Sequence, residues 1–457
     1  MKRIVNQIVS TLAVLLTMYA CGNYEMEVPE PVELKRANNG MIKSYDNVMV
    51  LKWNEALGMA VDNLLPAPAE SRVYAMVTLA VHDALNNVVP KYETYAMDNG
   101  WNDGKEVSKK TIYQAADAAV AQAAHDVLVA LVPAFQGDAD NLLASSLSGI
   151  ENSEEKALGI QVGKDAASAM LMKRNNDIVP GFAPYPQGSE PGEYKSTFPF
   201  LPPVFPWPAV YARYWGENEP YGMLSGDQFR PEPPYEINSP QYTADYNEVK
   251  ILGSNTSAVR TPDQTAMAMF LTENMPSMLN RVAREMVVSE KLNGWETARL
   301  FALIQMATAD VLISTFDAAF YYNFWRPITA IQEGDSDGND DTAGDPAWSP
   351  LTSARPTPPL PSYPSAYAAA GSAGAEIFKM FFRTDEKSFS IGSYTLPGAQ
   401  RSYTSFSQFA MEMTVSRIYA GHNFRNDQTT GAEIGKKIAK FIYNNNLEEL
   451  KPNRLVK

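Results

Sequence analysis

The sequence predicts an all-α fold, a helical bundle wrapped by long proline-rich loops. Alanine-rich runs with apolar residues at helical spacing recur along the chain. Two stretches are too dense in proline to be helical. No convincing run of alternating polar and apolar residues indicates a β-sheet. With 457 residues, 45% hydrophobic and 20% charged, the composition is that of an ordinary globular protein.

The first residues of the chain are typical of an export signal. Lys2 and Arg3 precede an apolar run over residues 8–20 that is too short to span a bilayer as a mature helix. The run ends at Cys21, and Ala20-Cys21-Gly22 resembles a bacterial lipoprotein cleavage site, where the cysteine is lipidated. The alternative is a plain secretory peptide cut nearby.

The chain is expected to divide into three parts. Residues 1–20 are predicted to be a lipoprotein signal peptide, residues 21–44 an extended tether rich in glutamate and proline, and residues 45–450 a single all-α domain. We therefore expect a protein held by lipid at the bacterial cell envelope, on the periplasmic or outer-membrane face. Its net charge of −14 argues against nucleic acid as a partner.

Helical spacing predicts the elements of the bundle in order. They are Val73–Val88, Thr111–Leu131, one or two helices in Leu142–Met172, then Gln264–Leu292, Trp295–Ile331, Ser365–Phe382, Thr404–Tyr419 and Asp427–Asn444. The proline- and aromatic-rich segment 177–240 is predicted to be an ordered loop packed on the body, or else a linker between domains. A second proline cluster, 356–364, leads into the helix at Ser365.

Metal chemistry has little support in the sequence. Cys21 is the only cysteine, so no intrachain disulfide or cysteine zinc site can form. Of the three histidines, His82 and His125 lie in alanine-rich helical stretches and are expected to be packed or hydrogen-bonded. Acidic residues alternate over 335–340 as in a calcium loop, but Pro346 stands where the terminal glutamate would be. We expect a solvated acidic loop there and no metal site.

Three segments place polar residues beside proline or glycine at a helix terminus. They are FWRPITAI with Arg326, PSYPSAYAAAG with Ser365 and Ala366, and SRIYAGHNFRND with Arg417. Each alone could be an ordinary helix end. Together, two guanidinium groups and a hydroxyl at a helix N-terminus are the ingredients of an oxyanion site.

In this order the motifs resemble those of the vanadium-dependent haloperoxidases, type 2 phosphatidic acid phosphatases and bacterial acid phosphatases. The likeness is closest to the bacterial haloperoxidase-like branch and covers roughly residues 53–442. It implies an all-α bundle and a pocket for vanadate or phosphate, although the residues alone give no firm expectation of a cofactor. Arg326, Ser365, Arg417 and Asp427 match the family's pattern.

Three positions depart from that pattern. Ala319 stands where the family has a lysine, Tyr367 where it has a general-acid histidine, and Asn423 where a histidine attacks phosphorus or ligates vanadium. An amide is neither a nucleophile nor a good metal ligand at ordinary pH. A tyrosine, with a pKa near ~10, is a poor proton shuttle at neutral pH. The sequence therefore predicts a degenerate centre that binds an oxyanion weakly, without turnover.

Two alternatives remain open at this stage. The protein could be an active haloperoxidase or phosphomonoesterase that uses Tyr367, or His422 brought into the pocket by a loop at Gly421. It could instead be an envelope binding or scaffold protein whose proline-rich segments present aromatic side chains to sugars or peptides.

Overall fold

A computed structural model describes residues 42–98, 109–197, 208–352 and 357–450, without the side chains of 109–111. The predicted signal peptide, Cys21 and nearly all of the tether lie outside the described residues. The all-α prediction is confirmed. The helices are α1 Val48–Val61, α2 Ala67–Val88, α3 Lys109–Leu131, α4 Gln136–Ser148, α5 Glu154–Lys173, α6 Pro240–Leu252, α7 Pro262–Phe270, α8 Met275–Ser289, α9 Gly294–Tyr322, α10 Pro327–Gln332, α11 Ala366–Phe382, α12 Phe406–Tyr419 and α13 Arg425–Asn445.

The structure differs from the sequence prediction where helices break and where strands are very short. The stretch 264–292 forms two helices, α7 and α8, and the helical run predicted to end at Ile331 is interrupted before Pro327. The short helix α6 was not predicted. Two small antiparallel strand pairs were also missed, since three or four residues are too few to show alternation. They pair β1 Phe182–Pro184 with β2 Ala209–Tyr211, and β3 Phe389–Gly392 with β4 Gln400–Tyr403.

Helix α9 is the centre of the bundle. Within the described residues it is the one helix long and apolar enough to cross a membrane, and 94% of its most apolar window is buried inside the protein. Its N-terminus is fixed by a capping box between Asn293 and Glu296. Further along, the buried carboxylate of Asp310 accepts backbone N–H bonds from residues 221–223, which holds that loop against the helix.

Helices α11 and α13 approach closely enough to bring the second and third motifs together. A Cβ on Gly435 would lie 2.0 Å from the backbone oxygen of Ala369, and one on Gly431 would lie 2.3 Å from that of Ser365. The lack of side chains at these glycines therefore lets the two backbones touch. The backbone N–H of Ser365 then donates to the carbonyl of Asp427 at 2.9 Å.

The proline-rich segments hold the linker between α9 and α10. From the first segment, the N–H of Tyr194 donates to the carbonyl of Asn323 at 2.8 Å, and the carbonyl of Gly192 accepts from the N–H of Trp325 at 2.9 Å. From the second, the N–H of Ser362 donates to the carbonyl of Phe324 at 2.8 Å. The residue that follows this clamped linker is Arg326, so both segments position the first motif.

Candidate functional site

One cavity of about 280 Å³ gathers residues from all three motifs. Its walls include Leu312 and Phe316 from α9 and the proline-rich run 358–361. The sequence-predicted residues that line it are Arg326, Ser365, Ala366, Tyr367, Arg417 and Asn423. Asp427 and His422 are not among the lining residues.

Arg326 is fixed in the cavity wall by backbone carbonyls. Its Nε donates to Leu360 at 2.8 Å, and its two terminal nitrogens donate to His422 and Pro361, each at 3.2 Å. These bonds use three of the five N–H groups of a guanidinium. Burial lowers the pKa of Arg326 to about 10, so the side chain remains a cation at neutral pH.

Arg417 is the unpartnered cation of the site. The side chain is 8% exposed, and within the described part of the chain it makes no hydrogen bond. Its Nε is sealed from solvent, whereas the two terminal nitrogens are not among the sealed atoms and so border the cavity. The guanidinium lies 5.1 Å from the centre of the Tyr367 ring, and burial lowers its pKa to about 10. A buried cation without a hydrogen-bonded partner is unfavourable unless an anion joins it.

Ser365 occupies the N-cap of α11. Its Oγ accepts the backbone N–H of Ala368 at 3.3 Å, which leaves the hydroxyl proton available to donate into the cavity. Ala366, the first residue of α11, also lines the cavity. The positive end of the helix dipole therefore points at the same space as the two arginines.

Asn423 lies between the cavity and the carboxylate of Asp427. Its Nδ2 donates to the carbonyl of Ser362 at 3.0 Å and to Oδ2 of Asp427 at 3.2 Å. That carboxylate oxygen also accepts the Ser362 hydroxyl at 2.5 Å and the backbone N–H of Phe424 at 2.9 Å. Burial raises the pKa of Asp427 to about 6, against the lowering effect of these hydrogen bonds. Asp427 thus orients an amide where the family has an imidazole.

The two side chains considered as replacement catalysts, His422 and Tyr367, contact other residues of the protein. His422 follows Gly421, where a φ of +80° turns the chain after α12. The Nε2 of His422 lies 2.6 Å from Oγ1 of Thr352. Burial, and then the two arginines, hold the pKa of His422 well below its usual value. The Tyr367 hydroxyl donates to the carbonyl of Leu271, and burial raises its pKa well above 10. Ala319 is buried in α9 and contributes no charge.

The sequence did not reveal the residues that support the site. Ser362 forms hydrogen bonds with both Asn423 and Asp427, and Thr352 forms one with His422. Ser362 could have been noticed because it lies three residues before Ser365 in Pro-Ser-Tyr-Pro-Ser. Thr352 carries no comparable signal.

The remaining candidates from the sequence have structural partners. His82 Nε2 lies 3.0 Å from the carbonyl of Glu93, and the ring of His125 lies between Asp126 at 2.7 Å and Asp140 at 2.8 Å. In the acidic loop Asp337 is buried, contrary to the expectation of a solvated loop, because it accepts the hydroxyl of Thr342. Across the described ranges no group of three or more His, Cys, Asp or Glu side chains is placed to hold a metal ion.

The aromatic side chains of the first proline-rich segment bear on the scaffold alternative, and they are divided between buried and exposed. In the described part of the first proline-rich segment, Tyr194 is 0% and Trp215 is 2% exposed. Three others, Phe182, Tyr214 and Tyr235, are 38%, 45% and 42% exposed, and Tyr211 is half-buried. Phe198, Phe200, Phe205 and Trp207 lie outside the described residues.

Comparison with known proteins points to one family. Residues 299–451 match the family described as the VCPO second helical-bundle domain. The chain is 25% identical over 410 residues to vanadium chloroperoxidase from Curvularia inaequalis, a match that covers 74% of this chain and 66% of that protein, just under two thirds of its length.

Solved structures share the fold along most of the chain. A bacterial vanadium-dependent iodoperoxidase superimposes with a TM-score of 0.69 at 21% identity, covering 90% of this chain and 98% of its own. An apo-type bacterial vanadium-dependent chloroperoxidase superimposes with a TM-score of 0.67 at 15% identity, covering 90% of this chain and 99% of its own. At these identities the likeness establishes the fold alone.

Proposed function

From the premise that this chain is a vanadium haloperoxidase-like protein, we propose that it binds a small tetrahedral oxyanion, such as phosphate, without catalysing a reaction on it. The observation that carries the proposal is Arg417, a buried cation whose terminal nitrogens face a cavity and have no partner among the described residues. An oxyanion is the partner that a guanidinium fork fits best. Arg326 and the hydroxyl of Ser365 line the same cavity and add donors.

The absence of turnover follows from the side chains around that cavity. The lone pair of the Asn423 amide nitrogen is delocalised into its carbonyl, so the nitrogen is not a nucleophile, and its hydrogens are donated to Ser362 and Asp427. The hydroxyl of Tyr367 donates to a backbone carbonyl, and His422 is turned towards Thr352. Glu273 also lines the cavity, but its carboxylate pairs with Arg281 and accepts the backbone N–H of Tyr394. Proton transfer by a positioned side chain is typically worth about 10²–10⁴-fold, and each of these three titratable side chains is engaged with other groups of the protein.

Vanadate as a resident group does not fit these residues. The cavity offers hydrogen-bond donors for its oxygens, which phosphate would use equally, but no imidazole borders it among the described residues. A vanadium–nitrogen bond of the kind that the family resemblance implies therefore has no ligand here. Vanadate should bind only as phosphate does, reversibly and through Arg326, Ser365 and Arg417.

Titration calorimetry with phosphate and orthovanadate tests the binding. The unaltered protein should release heat on binding, and Arg417→Ala should abolish it. Arg383→Ala is the matched control, since it removes an exposed arginine outside the cavity and should leave binding unchanged.

Activity assays test the second half of the proposal. Bromide oxidation by hydrogen peroxide in the presence of vanadate, and hydrolysis of a phosphomonoester, should both stay at background. Activity above background that Arg417→Ala removes would overturn the proposal and favour the active-enzyme alternative.

We also propose that the protein is anchored to a membrane of the cell envelope through lipid on Cys21. The basic pair before the apolar run 8–20 and the following Ala-Cys-Gly support this proposal. Radiolabelled palmitate fed to cells expressing the protein should be incorporated, and Cys21→Ser should not be labelled. Labelling of the serine variant, or a soluble unlabelled parent, would contradict the proposal.

A further inference from the structure

The amide of Asn423 is held in one orientation. Its Nδ2 faces the carbonyl oxygen of Ser362 at 3.0 Å, an atom that can only accept. It also faces Oδ2 of Asp427 at 3.2 Å. Turning the amide over would place its oxygen against a carbonyl and, at neutral pH, against an ionised carboxylate, which is repulsive. The nitrogen therefore stays on the Ser362 side, and both of its hydrogens are engaged there.

The amide oxygen is consequently left for the cavity. Within the described residues Oδ1 of Asn423 accepts no hydrogen bond, and it is not among the buried atoms sealed from solvent. Asn423 itself is only 2% exposed and lines the cavity. Since the side chain is buried yet this atom remains accessible, the accessible space it meets is the cavity that also holds the terminal nitrogens of Arg417.

An acceptor placed beside donors discriminates between anions by their protons. The carboxylate of Glu273 also lines the cavity, but its two oxygens accept from Arg281 and from the backbone N–H of Tyr394. Arg326, Arg417 and the Ser365 hydroxyl can donate to any oxyanion oxygen, protonated or not. Of the groups that an oxyanion carries, only a hydroxyl can donate to the Asn423 oxygen. An oxyanion without a proton would press one of its oxygens against this carbonyl and leave the acceptor unsatisfied.

We infer that this cavity selects oxyanions that keep a proton at neutral pH, such as phosphate and arsenate, over those that carry none, such as sulfate and selenate. The inference rests on the proposed oxyanion-binding function and names the class of ligand. A hydrogen bond that one ligand makes and its analogue cannot is worth about tenfold or more in a buried site. We therefore expect phosphate to bind at least about tenfold more tightly than sulfate.

Four anions measured on the unaltered full-length protein decide the matter. Dissociation constants for phosphate, arsenate, sulfate and selenate are obtained by titration calorimetry in one buffer at pH 7. Arsenate is larger than phosphate, and selenate is larger than sulfate. If the proton sets the preference, phosphate and arsenate should bind alike; if size sets it, phosphate and sulfate should bind alike. The first grouping supports the inference; the second, or four equal affinities, overturns it.

Two variants locate the selectivity. Asn423→Leu keeps the approximate volume and removes the acceptor, so the ratio of phosphate to sulfate affinity should fall to about one, mainly through weaker phosphate binding. Ser365→Ala should weaken both anions by a similar factor and leave the ratio unchanged. If Asn423→Leu keeps the parent's ratio of phosphate to sulfate affinity, the selectivity does not come from the Asn423 oxygen. If that variant does not fold, the four-anion series on the unaltered protein still tests the inference. If none of the four anions binds to the unaltered protein, the proposed function itself fails; equal binding defeats only the inference.

Discussion

Replacing Arg417 with methionine should stabilise the protein in anion-free buffer while abolishing oxyanion binding. Burial lowers the pKa of this arginine from its usual value to about 10. At about 1.4 kcal/mol for each tenfold change in an ionisation constant, the folded state disfavours its charge by roughly 3 kcal/mol at neutral pH. Methionine has a similar length and packs well on an aromatic ring, so it can keep the contact with Tyr367. Allowing up to about 2 kcal/mol for the lost cation–π interaction, we expect a gain of about 1–3 kcal/mol in the free energy of unfolding.

Arg326→Met is the matched control. The pKa of this arginine is also lowered to about 10 by burial, so the two side chains share the penalty for a buried charge. Arg326, however, donates to the carbonyls of Leu360, Pro361 and His422. Each buried acceptor left without a donor costs about 1–3 kcal/mol, so this variant should be less stable than the parent. The difference between the two variants isolates the hydrogen bonds from the charge.

Urea unfolding with and without phosphate provides the measurement. In anion-free buffer the midpoint should rise for Arg417→Met and fall for Arg326→Met, with unchanged slopes. At a phosphate concentration of about 100 times the dissociation constant, the parent should gain about 2.7 kcal/mol and Arg417→Met nothing. A loss of more than about 1 kcal/mol in Arg417→Met without phosphate would refute the reasoning, since it would show that the guanidinium is a satisfied structural group.

Three other perturbations test separate parts of the structure. The hydrogen bond to Asp126 raises the pKa of His125. The stabilisation that protonated His125 provides is therefore complete below a pH of about 6.5 and is lost as the pH rises through the raised pKa. The difference in thermal stability between the parent and His125→Gln should shrink over that range, and a constant difference would contradict this. Gly435→Ala would place a Cβ 2.0 Å from a backbone oxygen of α11 and should lower the free energy of unfolding by about 1–3 kcal/mol, whereas Gly137→Ala, with nothing within 4 Å, should not destabilise. Asn423→His supplies the missing imidazole and should retain vanadium through gel filtration, measured by elemental analysis; equal retention by the parent would argue against the hydrogen-bond-only site.

Local patterns were sufficient to locate most of the fold and of the site. Helical periodicity is a property of neighbouring residues, so α2, α11 and α13 could be placed from the sequence to within a few residues, apart from the earlier start of α2. The motif arginines could be placed because each lies beside a recognisable helix end. The short strands carry too few residues to show a period, and tertiary hydrogen bonds decide them. Helix α6 is long enough at 13 residues, but the four residues that it buries include two tyrosines and an aspartate, which do not form an obvious apolar stripe.

The side chains of adjacent residues can contact different parts of the protein, and no local pattern predicts which. His422 and Asn423 are neighbours in the turn after Gly421, yet one side chain contacts Thr352 and the other contacts Ser362. The sequence left open whether His422 could enter the cavity. The answer depends on segments 70 and 61 residues away, which supply the partner of each side chain.

The sequence by itself determined the chemical inventory of the site: two arginines and a serine are present, while the lysine and both histidines of the family pattern are replaced. Tertiary structure alone decided which atoms remain free. The terminal nitrogens of Arg417 and the oxygen of Asn423 border the cavity, because groups distant in sequence engage the neighbouring atoms and not these: Ser362 accepts from the Asn423 nitrogen, and Thr352 contacts His422. A hydrogen bond has direction and saturates, so the unused donor or acceptor of a buried side chain is known only once all of its partners have been placed around it.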